Sequence, residues 1–305
     1  MQLLEPHGAW DEAQWARLFE SFRALQLTEL VVQWTVHDRT AFFSPATDYR
    51  TLPRPPLATL LRLAQQYSMR VLVGLAHDPA YWNESDRDPR RAPALFDSLL
   101  QRSAATAQAV LPTVAASPAF AGWYITEEVD DLSWSLALRP QLFAYLARLG
   151  AALRSLTPNA RIALSGFTDA RSTPAAVEVF WRALLSAAPD IDCVLFQDGI
   201  GVAKLEVRQF PAYLGAVARA ARAHDCDLQA VVETFRQTGG LPVSDGPFAA
   251  EPAPLARILS QMQAAAGHAS QLVAFSVPEY MSPQGGARAN ALYRDYLAHF
   301  AGLER

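Results

Sequence analysis

Apolar residues recur along the chain with two alternating periods. Trp15, Leu18, Phe19, Phe22 and Leu25 stand at helical spacing and predict a helix over about Asp11–Leu25. Thr28–Trp34, TELVVQW, follows as a short run whose β-branched and aromatic residues suit a buried strand. The same alternation continues to the C-terminus. Further strands are predicted over Arg70–Leu75, Gly122–Ile125, Arg161–Ser165, Cys193–Phe196, Leu228–Val232 and Gln271–Val277. Helices are predicted between and after them, over about Leu57–Tyr67, Pro93–Val114, Pro140–Leu156, Pro174–Ala187, Gln209–His224, Pro254–Ala266 and Gly286–Phe300. Met1–Pro6 adds a weaker strand with Glu5 at its end. The longest irregular stretches are Asn83–Ala92 and Gln237–Pro252, both rich in proline with charge or glycine.

Eight strands alternating with eight helices mean parallel strands joined by helical crossovers. No linker or low-complexity tract interrupts them, so the expectation is an α/β fold, a single (β/α)8 TIM barrel over residues 1–305. Such barrels take about 250 residues. No GxGxxG follows the first strand, so the dinucleotide fingerprint is missing and no cofactor is expected.

In a barrel the chemistry sits where strands end and loops begin. Those ends carry Glu5; Trp34 with His37 and Asp38; His77 with Asp78; and Glu127 with Glu128. They continue with Asp169; Gln197 with Asp198; Glu233 with Arg236; and Glu279 with Tyr280. The opposite ends are ordinary turns such as Leu-Thr-Glu and Ser-Met-Arg. A barrel built only for stability has no reason to load one face with carboxylates.

Paired carboxylates across a cleft suit glycoside hydrolysis, one protonating the leaving oxygen while the other attacks or activates water. Trp34, Tyr81, Trp82, Trp123, Tyr124, Trp134, Phe167 and Tyr280 could offer flat faces to sugar rings, or simply pack strands against helices. A divalent metal held by His37, Asp38, His77, Asp78, Glu127 and Asp198 is the competing arrangement. It lacks any HxH or HExxH spacing, so no metal is expected. Asp130 and Asp131 suit caps and turns.

Charge changes the picture only by exclusion. The 305 residues carry 26 basic and 30 acidic side chains, net −4, without a basic run, which argues against nucleic acid. No apolar run reaches the roughly 18 residues of a membrane span. MQLLEPHGAW lacks a charged start and an apolar signal core, so the chain is either cytoplasmic or one whose export signal has been cut away before Met1. Cys193 and Cys226 lack metal-ligand spacing; a disulfide and two free thiols both stay open.

The strand-four carboxylate and the strand-seven glutamate resemble the superfamily of retaining barrel glycosidases. There an Asn-Glu pair ends strand four, its Glu serving as acid/base, and strand seven carries the nucleophile. The resemblance implies Glu128 as acid/base, Glu127 in the asparagine position and Glu233 as nucleophile. Here Thr-Glu-Glu replaces Asn-Glu-Pro, which leaves open which of the tandem pair is the acid. Across nearly the whole chain, LVVQWT, GWYITEEVDD and FQDGIG are similar to a bacterial barrel family catalogued as a domain of unknown function and regarded as candidate glycoside hydrolases. Its members are often exported, which implies a periplasmic or secreted protein and a glycan substrate, such as a bacterial exopolysaccharide.

The expectation is therefore a retaining glycoside hydrolase. Glu127 would raise the pKa of Glu128 by like-charge proximity, and Arg236 would help keep Glu233 ionised. Trp34, His77, Asp78, Tyr81, Trp82, Tyr124, Gln197, Asp198, Glu279 and Tyr280 would line the sugar sites, with Glu5 at the first strand's end. A non-catalytic glycan-binding barrel and a metal-dependent barrel hydrolase or isomerase are the alternatives.

Overall fold

Seven parallel strands make the central sheet of the computed structural model, which describes residues 1–83 and 88–303. They are β1 (Glu29–Val32), β2 (Arg70–Gly74), β3 (Phe120–Asp130), β4 (Arg161–Phe167), β5 (Cys193–Gln197), β6 (Asp227–Glu233) and β7 (Gln271–Phe275). Spatial order follows chain order, every neighbour is parallel, and a helix bridges each consecutive pair. The helices are α1 (Glu12–Ala24), α2 (Leu57–Gln66), α3 (Ala92–Ala115), α4 (Arg139–Leu156), α5 (Pro174–Ala187), α6 (Phe210–Arg222), α7 (Leu255–Ala265) and α8 (Ala287–Leu303).

Local chemistry explains where these helices start. Asp11 accepts from the Gln14 backbone N–H at 2.8 Å while the Gln14 side chain accepts from the Asp11 N–H at 2.9 Å, a reciprocal cap on α1. Proline stands in the first turn of α3, α4, α5 and α6, where a missing N–H costs nothing.

Strand alternation divides the core in two. Trp123 and Ile125 of β3 face the helices with Leu164, Val194 and Phe196. Tyr124 points the other way and joins Leu72, Ala163, Cys193, Leu195 and Val231 on the concave side of the sheet. Both Cys193 and Cys226 are buried free thiols. Among the described residues no helix is long and apolar enough to cross a membrane.

The expected strand over Met1–Pro6 does not form. Met1 lies beside β1, its carbonyl accepting from the N–H of Gln33, just past the strand, at 2.9 Å and its amino group donating to the Val31 carbonyl at 2.7 Å. The chain then turns, with the Leu4 N–H donating to His7 Nδ1 at 2.9 Å, and Glu5–Ala9 is a short 3-10 helix. Pro6 has no N–H to give a ladder, which is why the turn wins. The sheet is thus a seven-stranded half-barrel, and between β1 and β7 lies a cavity of about 300 Å3.

Two smaller sheets decorate the C-terminal edge. Arg50–Thr51 pairs with Thr40–Ala41, which pairs with Val36–His37, which in turn pairs with Ala76–His77, fastening the loop after β1 to the end of β2. The stretch Gln237–Pro252, expected to be irregular, takes part in a hairpin in which Phe235–Gly239 pairs antiparallel with Ala249–Pro252. Its alternation covers only five residues, too few to stand out beside the surrounding Gly and Pro. Residues 84–87 of the expected loop Asn83–Ala92 lie outside the described residues.

Candidate active site

The tandem glutamates occupy a bulge. Ile125 pairs with Leu164 and Val129 with Gly166, so Thr126, Glu127 and Glu128 together stand opposite Ser165 alone. Two extra residues preserve the in–out alternation while bending the strand, and bulges of this kind re-aim side chains beside active sites. The bulge is pinned: Thr126 Oγ1 donates to the Ala76 carbonyl at 2.7 Å, and the Tyr81 hydroxyl donates to the Glu128 carbonyl at 2.9 Å.

Alternation sends the two carboxylates to opposite sides. Glu128 faces the concave side, where Gln33 Nε2 donates to its Oε1 at 3.2 Å. Glu127 points outward and is 2 % exposed, and the Tyr145 hydroxyl of α4 donates to its Oε2 at 2.7 Å. Burial pushes Glu127 up to about 7. Burial also raises Glu128, against a hydrogen bond from Gln197 and the charge of Lys204. The expectation that Glu127 raises Glu128 is therefore corrected: the cause is desolvation, because the neighbour in sequence is across the sheet in space.

Glu233, the last residue of β6, meets Glu128 in one cavity of about 520 Å3 above the sheet. The Val202 N–H donates to its Oε2 at 3.1 Å. Gly201 lies so close that a Cβ there would stand 2.8 Å from the same oxygen, so a side chain at this position would push the carboxylate aside. Asp198 sits behind Glu233 and is wholly buried, accepting from the Ile200 N–H at 3.1 Å and from Gln261 Nε2. It cannot reach a sugar; it braces Glu233, whose N–H lies 3.4 Å from both of its oxygens. Burial and then the charge of Asp198 raise Glu233 to about 8. Asp198 is itself raised, first by burial, and the charge of either carboxyl opposes ionisation of the other. The motif FQDGIG thus supplies Gln197 to the cavity, Asp198 as brace and Gly201 as clearance.

Arg236 does not assist Glu233. It is exposed on the hairpin and pairs with Glu251, itself also bound by Arg288. The cation behind Glu233 is instead Arg257 of α7, which donates to the Glu233 carbonyl at 2.9 Å.

Other expected sugar contacts lie elsewhere. Glu5 is exposed and pairs with Arg50. Trp34 is buried, its Nε1 donating to the Leu3 carbonyl at 2.7 Å, and His77 stacks on it at 5.1 Å and on His37 at the same distance. Burial, then the His37 neighbour, pushes His77 down to about 4, so it is neutral at pH 7. Asp78 pairs with Arg102 and caps Pro79–Trp82. Tyr81 is buried, its hydroxyl held on the Glu128 carbonyl, and Trp82 is 36 % exposed beside Phe167. The Tyr124 hydroxyl shares a 2.6 Å hydrogen bond with Ser165 in the inner layer. Glu279 takes the Ser276 hydroxyl, and Tyr280 packs on Phe235 at 5.1 Å. Of the expected strand-end groups and aromatics, Glu128, Phe167, Asp169, Gln197 and Glu233 line the upper cavity.

Asp130 and Asp131 hold the loop: Asp130 accepts from the Leu132 and Ser133 N–H groups at 2.8 and 2.7 Å, and Asp131 from Thr168 at 2.9 Å. Among the described residues no three His, Cys, Asp or Glu side chains gather to hold a metal. Sequence reasoning missed Gln33, Lys204 and the hairpin residues Phe235, Gln237 and Phe248 as cavity walls. One signal was readable: Lys204 is the chain's sole lysine.

A half-barrel whose C-terminal edge gathers two strand-end glutamates in one cleft belongs, by its architecture, with α/β barrel proteins. Residues 2–287 match the family described as a domain of unknown function, DUF4434, and the chain belongs to that family. It is 31 % identical over 259 residues to the uncharacterized protein YbcH of Escherichia coli K12, spanning 82 % of this chain and 78 % of that one. A candidate alpha-L-fucosidase of Bacteroides thetaiotaomicron has the same fold, with a TM-score of 0.73 at 18 % identity over 96 % of this chain and 88 % of that one. So does a xylanase of Cellvibrio japonicus, with a TM-score of 0.56 at 11 % identity over 94 % and 93 %.

Proposed function

We propose that this chain is a glycoside hydrolase acting on a polysaccharide or oligosaccharide by a retaining, two-carboxylate mechanism. The observation that carries the reading is that Glu128 and Glu233, from strands three apart in the sheet, face one cavity at the C-terminal edge. The glycosidase fold of the structural neighbours supports it as analogy. Glu128 protonates the leaving oxygen and later deprotonates water; Glu233, gripped by the Val202 N–H, attacks the anomeric carbon. Gln33 and Gln197 flank Glu128 and offer amides to sugar hydroxyls. We also place Met1–Leu3 at the position of a first strand, completing an eight-membered barrel.

One observation favours the exchange of roles. Burial raises both glutamates, but Glu233 is raised to about 8, which suits a proton donor, while a hydrogen bond from Gln197 opposes the rise of Glu128. Azide rescue separates the two assignments. A substrate is found by screening bacterial exopolysaccharides and plant glycans for new reducing ends, and Glu128→Gln and Glu233→Gln are then assayed with azide. Rescue of Glu128→Gln giving a glycosyl azide of retained configuration supports Glu128 as acid/base. An inverted azide from the Glu128 variant exchanges the roles, and full activity in both variants sinks the hydrolase reading.

A further inference from the structure

We propose that the cleft takes an acidic glycan, and that Lys204 is the group that recognises the sugar carboxylate. The proposal rests on reading the cleft as a glycosidase site and names its substrate class.

Of the 26 basic residues one is lysine, so 26 − 1 = 25 are arginine. That lone lysine stands in the cleft. The loop after β5 folds back on itself, Lys204 N–H donating to the Gly199 carbonyl at 2.8 Å, and the same loop provides the Val202 N–H that grips Glu233. The Lys204 ammonium lies 3.4 Å from the centre of the Phe167 ring and 3.1 Å from Asp169 Oδ1. These contacts fix its position beside the reacting glutamates.

Lys204 does not have Asp169 to itself. Asp169 also takes Arg171 at 3.2 Å, so two cations share that one carboxylate and Asp169 alone does not offset Lys204, whose charge is left to the groups in the cleft, Glu128 and Glu233 among them. The Arg171 side chain is 72 % exposed and screened by water, whereas that of Lys204 is 34 % exposed within the cavity wall. Its influence reaches both Glu128 and Glu233, each of which it favours in the ionised form.

A neutral sugar gains little from such a cation. A carboxylated sugar next to an ionised glutamate is repelled unless a positive group offsets the approach. Lysine suits that task better than arginine here. Its ammonium has three rotatable donors, so it can keep Asp169 and still donate to a second carboxylate, whereas Asp169 would occupy an arginine's fork bidentately.

The test uses hexamers of galacturonate, mannuronate and glucuronate, each as free acid and as full methyl ester, so that each pair differs in charge on one backbone. Binding is measured by calorimetry in proteins carrying Glu128→Gln, which keeps cleavage from intervening, with and without Lys204→Met. The expected result is that at least one free acid binds about ten- to a hundredfold more tightly than its ester, the worth of one charged hydrogen bond, and that Lys204→Met abolishes the preference. Lys204→Arg should restore part of it. Because the readout is a ratio on one protein, loss of folded material cannot imitate it. Equal binding of acid and ester, no binding of any acid, or a preference that survives Lys204→Met overturns the proposal. Cleavage of neutral glycans with no uronate preference keeps the hydrolase reading and loses this one. Lysine-dependent uronate binding by a chain that cleaves no glycan does the reverse.

Discussion

Glu127 and Glu128 are covalent neighbours whose carboxylates lie on opposite sides of the sheet. Tyr145 of α4 holds the first among the helices, and Gln33 holds the second in the cleft. The bulge opposite Ser165 lets both be accommodated where a regular strand would have one residue. This division of the pair into a framework acid and a cleft acid has consequences for activity and for stability.

For activity, Glu128→Gln should lower turnover by about 10²–10⁴-fold, the usual contribution of a positioned acid or base. Glu127→Gln should leave turnover near that of the parent, since the amide oxygen still accepts from Tyr145. Rates on the glycan identified by screening check both. Equal damage from the two substitutions would mean that Glu127 acts in the cleft after all.

For stability the sign runs the other way from an ordinary salt-bridged acid. Burial raises Glu127 from 4.5 to about 7 in the folded chain, so the native state binds the proton more tightly than the unfolded state. Stability from this group is present below about pH 4.5 and is lost as pH rises through about 7, by an amount of order 3 kcal/mol. Urea midpoints at pH 5 and pH 8 should therefore differ less in Glu127→Gln than in the parent.

Asp198 and Glu233 give a second pH signature. The charge of Asp198 helps to raise Glu233, so Asp198→Asn should let Glu233 ionise at lower pH. With Glu233 as nucleophile, the acidic limb of kcat/KM moves downward in pH. With the roles exchanged, the basic limb moves downward instead. A profile that shifts upward, or not at all, contradicts the bracing role.

Gly166→Ala tests the bulge itself. A Cβ there would stand 2.4 Å from the Val129 carbonyl oxygen and 2.6 Å from the Trp181 ring, both fixed in the core. Overpacking of this kind costs about 1–3 kcal/mol, read as a fall in Tm. Because Val129 follows Glu128, activity should fall further than the stability loss alone explains.

Much of the fold was legible because helices and strands declare their period locally. TELVVQW, GWYI and CVLF are strands in any context that can cover both faces, and each became a member of the sheet. The expected first strand did not form: Pro6 and the hydrogen bond from the Leu4 N–H to His7 turned the chain after Leu4 into the 3-10 helix Glu5–Ala9. At the site, strand ends pointed to Glu128, Asp169, Gln197 and Glu233, and all four line the cavity. The same rule also nominated Glu5, Asp78, Asp198, Arg236 and Glu279, which the folded chain uses for pairing, capping and bracing. A strand end says where a residue emerges, and only the neighbours' positions decide which way its side chain turns.

The tandem glutamates state the division most plainly. By itself the sequence determined that two carboxylates end a core strand, because apolar alternation up to Ile125 is a local property. Which face of the sheet is the cleft, and what each glutamate meets there, was decided by the closing of the sheet, by Tyr145 on the next helix and by Gln33 two strands away. Those partners lie 18 and 95 residues from the glutamates they hold. Contacts at such separations exist only once the chain has closed around its core, and they decide what each side chain meets on the side to which alternation sends it.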